Sequence, residues 1–438
     1  MTPDLRSRLA RLGYRLTPTS ELGQAHEVSK PSPRGPALWS AHTSPPERGR
    51  STIHPIDDVV PGRRVATPHG ECFVAEHHHP PGHLHGSHRL EEALELDAHL
   101  FEWLGRDSAL ADFDPARSVF LDVETTGLAG GTGTYAFLVG LAHFEGPRFV
   151  VRQFFMEDYD AEASLLHAVA EALEPFQGVV TFNGKAFDLP LLETRFLMAR
   201  RPFALQGVPH LDLLFPSRRL WRERLESCAL SNLEREILGV EREGDVPGFL
   251  IPGIYFDYLQ SGDAQPLGPI FEHNRQDLLS LATLTTRLAR QYADPFHPSV
   301  EDGRDLFALG RAFEMLELAD RAVLCYERAL ALLPPGQMHD RAMVGLGSLY
   351  KRLRLRQDAV GLWRKLAASG RTFTTMAYVE LAKHYEHVER DHREAERFTL
   401  QALAALELRA ARGEPWRVEQ ERRDLEHRLA RLRRKMDR

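Results

Sequence analysis

Ser118-Val119-Phe120-Leu121-Asp122-Val123-Glu124-Thr125-Thr126-Gly127 is the stretch on which the reading of the chain turns. Val119, Phe120, Leu121 and Val123 favour packed, pleated surroundings, so the segment predicts a buried β-strand. Asp122 and Glu124 stand two apart near its end, and residues two apart leave a strand on one face. Two carboxylates on one face of a core strand lose hydration and repel each other, so they require a partner. A hard divalent cation such as Mg²⁺ or Mn²⁺ fits, because such ions take carboxylate oxygens. A strand end whose acids simply meet water is the other reading, and these residues alone leave both open.

Outward from that strand the pattern is α/β. Residues 135–142 and 149–154 predict two further strands, and Gly146-Pro147 between them makes an antiparallel hairpin. Ala161 to Leu173 predicts a helix and Val179 to Phe182 a short strand. Asp188 opens a helix through about Met198, with Pro190 tolerated in its first turn. His210 to Leu213 predicts another strand, and helices follow to Arg290. A meander followed by parallel strands with helices implies a mixed sheet.

Upstream, residues 1–60 predict little fixed structure: Leu5, Leu9, Leu12 and Leu16 suit a short helix, then Pro31, Pro33, Pro36, Pro45 and Pro46 mark a linker. Residues 65–74 suggest two short strands around a turn. His77, His78, His79, His83, His85 and His88 follow, broken by Pro80, Pro81 and Gly82. Imidazoles at that density can bind transition metals, but no regular spacing aims them at one point, and the other reading is a solvated loop. Leu90 to Leu104 predicts one helix.

Downstream, Leu309-Gly310, Leu346-Gly347 and Leu381-Ala382 precede aromatics at Phe313, Tyr350 and Tyr385, and second helices begin near Ala322, Ala359 and Ala395. The repeat distance of about 36 residues approaches the ~34 of a tetratricopeptide unit. Three such helix pairs are expected to stack into a curved surface that binds a protein partner. Trp416 to Arg438 predicts a charged helix with Arg431, Arg433, Arg434 and Lys435 at its end.

The bulk composition is that of a globular protein: 438 residues, 43% hydrophobic, 27% charged. The length implies two or three domains. A net charge of −7 excludes a uniformly basic nucleic-acid coat and leaves local basic patches possible. Cys72, Cys228 and Cys325 form no CxxC pair, which argues against a disulfide framework and a cysteine zinc site. No apolar run approaches a membrane span, and Asp4, Arg6, Arg8, Arg11 and Arg15 interrupt any signal-peptide core, so a cytoplasmic protein is expected.

More acids bear on Asp122 and Glu124. Phe182-Asn183-Gly184-Lys185-Ala186-Phe187-Asp188 places Asp188 just after a core strand, and His273 and Asp277 stand four apart on one helix face. Four acids from three separated elements can converge on two metal ions, which activate water and stabilise the leaving oxygen of a phosphodiester. A nearby His can take the proton from that water.

The order Asp-x-Glu-Thr-Thr-Gly-Leu, Phe-Asn-Gly-Lys-x-Phe-Asp and His-x-x-x-Asp resembles the DEDD exonucleases of the ribonuclease H-like superfamily. It resembles more closely their bacterial branch of predicted exonucleases joined to tetratricopeptide repeats, over roughly residues 115 to 292. The resemblance implies that Asp122, Glu124, Asp188 and Asp277 hold two Mg²⁺ or Mn²⁺ ions, that His273 is the general base, and that Thr125 and Asn183 lie near the substrate. In the histidine-type branch the base stands five residues before the last Asp, in the tyrosine-type branch four. Here a His occupies the tyrosine spacing. The function implied is a 3′–5′ exonuclease acting on RNA or single-stranded DNA; the alternative is a non-catalytic binding scaffold that keeps the fold.

The expected divisions are therefore 1–60, a weakly ordered segment and linker; 61–110, a His-rich lead-in; 111–297, the ribonuclease H-like nuclease domain with its mixed sheet; 300–410, the helical repeats; and 411–438, the charged helix. Gly131-Thr132-Gly133-Thr134-Tyr135-Ala136 fits a dinucleotide fingerprint, but a strand follows it where a helix N-terminus is needed. Arg218, Arg219, Arg222 and Arg224 beside Trp221 suggest phosphate contacts, Arg218 and Arg222 foremost, with Trp221 for base stacking. A solvated helix around a buried Trp221 is the competing reading.

Overall fold

The protein, seen in a computed structural model, is described over residues 53–127, 132–297, 300–369, 375–410 and 415–437. The expected N-terminal helix and linker, and most of the glycine-rich segment after Gly127, lie outside the described residues. We label the strands of the main sheet and only the longer helices. Seven strands line up in the order β1 (Gly62–Thr67), β2 (Gly70–His79), β5 (Arg148–Phe155), β4 (Ala136–Glu145), β3 (Ser118–Thr125), β6 (Gly178–Thr181) and β7 (His210–Asp212). Neighbours from β1 to β3 are antiparallel, and β3, β6 and β7 run parallel. The mixed sheet with flanking helices is the architecture the sequence implies. The 65–74 hairpin does more than expected, because β2 pairs with β5 along seven positions and extends the sheet.

Alternation along β3 divides two cores. Val119 and Leu121 pack with α2 (Glu162–Leu173), α3 (Asp188–Met198) and α5 (Ile251–Ser261) on one side. Phe120 faces the other side, among residues of α1 (His99–Gly105), α4 (Leu214–Trp221) and the long α6 (Gly268–Ala293). Asp122 and Glu124 keep the parity of Phe120, so both acids emerge under α6.

Two expectations upstream are corrected. Leu90–Leu104 is not one helix but a 3₁₀ segment, Leu90–Glu95, followed after a break by α1. His77 to His79 do not lie in a loop; they end β2. Of the remaining rings, His85 Nε2 meets Ser280 Oγ at 2.7 Å, His88 Nδ1 meets Glu92 Oε2 at 2.9 Å, and His83 packs edge-on against His79 at 4.5 Å. Burial pushes the His85 imidazole down to about 3, so it stays neutral.

Six helices form the expected three pairs: α7 (Gly303–Met315) with α8 (Ala319–Leu332), α9 (Gln337–Arg352) with α10 (Arg356–Ala368), and α11 (Met376–His384) with α12 (His392–Ala410). The glycines of the repeat have a steric reason. A Cβ on Gly310 would sit 3.0 Å from the Tyr326 ring, and one on Gly347 2.6 Å from Trp363 Nε1. The last helix, α13 (Pro415–Met436), is fixed by charge, since Arg428, Arg431 and Lys435 all pair with the fully buried Glu386.

These helices share the α6-side core, and residues 52–438 cluster as one compact unit. Trp103 and Tyr292 meet Phe313 edge-on at 6.2 and 5.7 Å, while Arg224 pairs with Asp305 at 3.1 Å. No helix among the described residues is long and apolar enough to cross a membrane.

Candidate active site

The site forms where the parallel strands β3, β6 and β7 end. A register shift between Glu124 and Thr125 interrupts the pairing of β3 with β4 at the last turn of the strand, the kind of bulge that re-aims side chains. Asp122 and Glu124 come from β3, Asp188 opens α3, and Asp277 sits one turn beyond His273 on α6. Their fields overlap. Burial, then Asp277, Glu124 and Asp188, raise the Asp122 carboxyl well above its usual range. Burial first, with Asp277 and Asp188 adding to it, pushes Glu124 up to about 7 against the opposing pull of His273. Burial raises Asp188 to about 7 as well, although backbone N–H groups of Asp188 and Val123 oppose the shift.

The Asp188 loop is built by a residue the sequence did not single out. Asp212, at the end of β7, accepts the N–H of Asn183 at 2.8 Å, of Lys185 at 3.0 Å and of Leu214 at 3.1 Å. Asn183 thereby adopts φ 67°, a left-handed conformation that Asn tolerates better than most residues. Thr125 spends its hydroxyl locally, donating to Gly127 O at 2.9 Å.

Asp122 is held from α6. Asn274 Nδ2 donates to Asp122 Oδ2 at 2.8 Å, and Gln153 Nε2 donates to Asn274 Oδ1 at 2.9 Å. Gly140, cross-strand from Asp122, makes this possible, because a Cβ there would collide with the Asn274 amide and lie 2.8 Å from Leu278 Cδ1. Asn274→Ala is expected to strip the buried Asp122 carboxylate of its side-chain donor, while Gln153 keeps its bond to Phe271 O, and to cost about 1–3 kcal/mol in urea unfolding; an unchanged midpoint would remove the ladder from the account.

His273 lies beside the acids despite its unusual spacing. Its Nε2 is 4.0 Å from Glu124 Oε1 and 3.9 Å from Asp277 Oδ2. Its Nδ1 is 2.7 Å from Asp245 Oδ1. Nδ1–H donating to Asp245 leaves the Nε2 lone pair of the neutral ring turned to the carboxylates. Burial opposes a charge on the ring, but Asp277, Glu124 and Asp245 outweigh it and raise the imidazole. Arg242, from the same loop as Asp245, pairs with Asp277 and, at 2.5 Å, with the buried Glu234.

Among the described residues no three His, Cys, Asp or Glu side chains already surround one point at coordination distance, and Asp277 is turned to Arg242. The donor set still suits a hard divalent cation. What meets here is crowded, poorly hydrated carboxylate oxygen, and a cation relieves the repulsion that raises these groups.

That repulsion has a pH signature. Acids whose folded values lie above their unfolded ones support folding below about pH 4 and lose that support as pH rises through about 7; the raised His273 acts in the same direction. In chelator, unfolding stability is therefore expected to fall by on the order of 1–3 kcal/mol across this window, with Mn²⁺ restoring it at the alkaline end. A flat profile would show that the acids do not share one field.

Residues 119–289 match the family model described as RNase_H superfamily, a span that starts in β3, ends in α6 and carries all four acids. "Uncharacterized protein YprB" of Bacillus subtilis (strain 168) is 31% identical over 368 residues, which is 83% of this chain and 86% of that protein. The chain belongs to the same family as YprB. Within it, residues 119–289 are an RNase_H-superfamily domain, a nuclease-type fold. The 368 aligned residues outrun that domain, so the likeness to YprB reaches beyond the sheet and α6.

Arg218 and Arg222 are not brought to the carboxylates; both are exposed on a separate groove along α4. Trp221 is fully buried, which removes it as a stacking platform, and Arg219 is turned inward to the carbonyls of Trp103 and Leu104. Arg242, Asp245, Asp212 and Gly140 were missed, because nothing in their local sequence shows which strand or helix they meet. Asn274 had a signal: it stands three before Asp277, on the same helical face.

Proposed function

We propose that the protein is a metal-dependent nuclease that removes nucleotides from a 3′ end of RNA or single-stranded DNA. The observation that supports this most is the convergence of Asp122, Glu124, Asp188 and Asp277 from three separate elements, with His273 Nε2 turned toward them. In this reading the four acids hold two Mg²⁺ or Mn²⁺ ions, which when bound supply Lewis-acid activation of water and charge neutralisation at the phosphate. His273 Nε2 takes the proton of the attacking water, and Asp245 keeps the ring in the required tautomer. Thr125 and Asn183 lie beside the terminal nucleotide. Residues 111–297 carry the chemistry, and the three helix pairs of 300–410 act as a tetratricopeptide-like surface for a protein partner, in a cytoplasmic protein.

A second reading, a scaffold without catalysis, draws support from Arg242, whose ion pair already neutralises Asp277. Incubation with 5′-labelled single-stranded RNA and DNA, with Mg²⁺, Mn²⁺ or chelator, separates the two. A metal-dependent ladder of single-nucleotide steps is expected. A single internal cut makes it an endonuclease, and no product with either metal leaves the scaffold.

A further inference from the structure

Helices α4 and α7 wall a groove of about 580 Å³ whose lining includes Arg106, Arg218, Arg222 and Arg311. All four are exposed, and none forms an ion pair among the described residues. Arg106 meets Met315 Sδ at 3.6 Å, and Arg311 lies over the Phe307 ring at 5.9 Å. Glu223, the acid on the wall, is already held by Arg341 at 2.8 Å. On α13, by contrast, Arg428, Arg431 and Lys435 each pair with Glu386. Here positive charge is left over, in a protein whose net charge is −7.

An aromatic lies within this charge. Phe215 is 49% exposed and lines the same groove. It stands three and seven residues before Arg218 and Arg222, on one helical face. The groove is separate from the carboxylates but is tied to their site through the chain. Phe215 follows Asp212 by three residues, a reach of at most about 11 Å, and Asp212 orders the loop that carries Asn183 and precedes Asp188.

We propose that this groove binds the phosphate backbone of a single-stranded nucleic acid, stacks a base on Phe215, and leads the strand to the four carboxylates. A basic channel with an aromatic platform is how single strands are held without sequence preference. An acidic peptide would use the arginines but has no use for a stacking ring beside a nuclease-type site. The choice of polymer rests on the nuclease reading; the existence of a polyanion groove does not.

The test is binding by the full chain in chelator, where no cleavage complicates the measurement. Fluorescence anisotropy is read with labelled oligouridylate and oligothymidylate of about twenty nucleotides, over a range of salt. Each phosphate contact adds about 0.7 to the slope of log affinity against log salt, so Arg106→Ala/Arg218→Ala/Arg222→Ala/Arg311→Ala should flatten it by about 3. Phe215→Ala should weaken binding roughly 5- to 150-fold at every salt concentration. These side chains are exposed, and a thermal melt confirms that each variant is folded. The proposal is overturned if the parent binds neither oligonucleotide, if the quadruple variant keeps affinity and slope, or if poly-glutamate displaces the strand at equal concentration, which would assign the groove to an acidic protein. A parent that binds in chelator but cleaves nothing with Mn²⁺ would defeat the nuclease reading and leave the groove standing.

Discussion

Asp122→Asn is expected to lower turnover of a labelled oligonucleotide by at least roughly 10²–10³-fold, since losing even an outer-shell partner of a metal site costs 10–100-fold. The same change is expected to raise the unfolding stability of the chelated protein at neutral pH. Asp122 is forced up by burial and by Asp277, Glu124 and Asp188, and a neutral amide of the same size escapes both penalties. Its oxygen can still accept from Asn274 Nδ2, so the ladder to Gln153 survives. A third readout follows: the thermal upshift caused by Mn²⁺ should shrink or vanish. Undiminished turnover at saturating Mn²⁺ would defeat the metal assignment, and loss of activity together with loss of fold would show that Asp122 is structural.

His273→Ala is expected to lower the rate by roughly 10²–10⁴, the span for removal of a general base, while leaving the Mn²⁺ upshift nearly unchanged. The two effects separate because the ring stands about 4 Å from the carboxylates and is held through its other nitrogen by Asp245. In the parent the rate should rise with pH as the imidazolium loses its proton and then level off. Asp245→Asn removes one of the charges that raise this ring, so it should move the midpoint to lower pH. If parent and His273→Ala share one pH profile, the imidazole takes no proton in the rate-limiting step.

Much of the site was legible because its residues lie in elements with strong local signals. Asp122 and Glu124 interrupt an apolar strand, Asp188 follows another, and the i, i+4 spacing of His273 and Asp277 survives folding as a 3.9 Å approach. A histidine at the spacing of the tyrosine-type branch still comes to the acids. The basic helix was read in part. Arg218 and Arg222 face outward as its polar face requires, yet the aromatic beside them is Phe215, because Trp221 fills the core between α4 and α6. The histidine run misled for the opposite reason. Its Pro and Gly suggested a loop, but pairing with β5 outweighs that preference for His77 to His79, and burial against α6 claims His85.

Sequence by itself determined the class of sheet, the order of its elements, the helix pairs that follow, and which carboxylates stand on one face of β3. These depend on periodicity and turn chemistry, which act over a few residues. Only the tertiary structure decided what surrounds them. Asn274 reaches Asp122 across 152 positions because Gly140 leaves room, and Arg242 finds Asp277 across 35. Four arginines that form no ion pair among the described residues meet because one core joins the C-terminal helices to α4 and α6. Such contacts are chosen by packing and by the need to pair buried charge, and no local pattern in the chain encodes them.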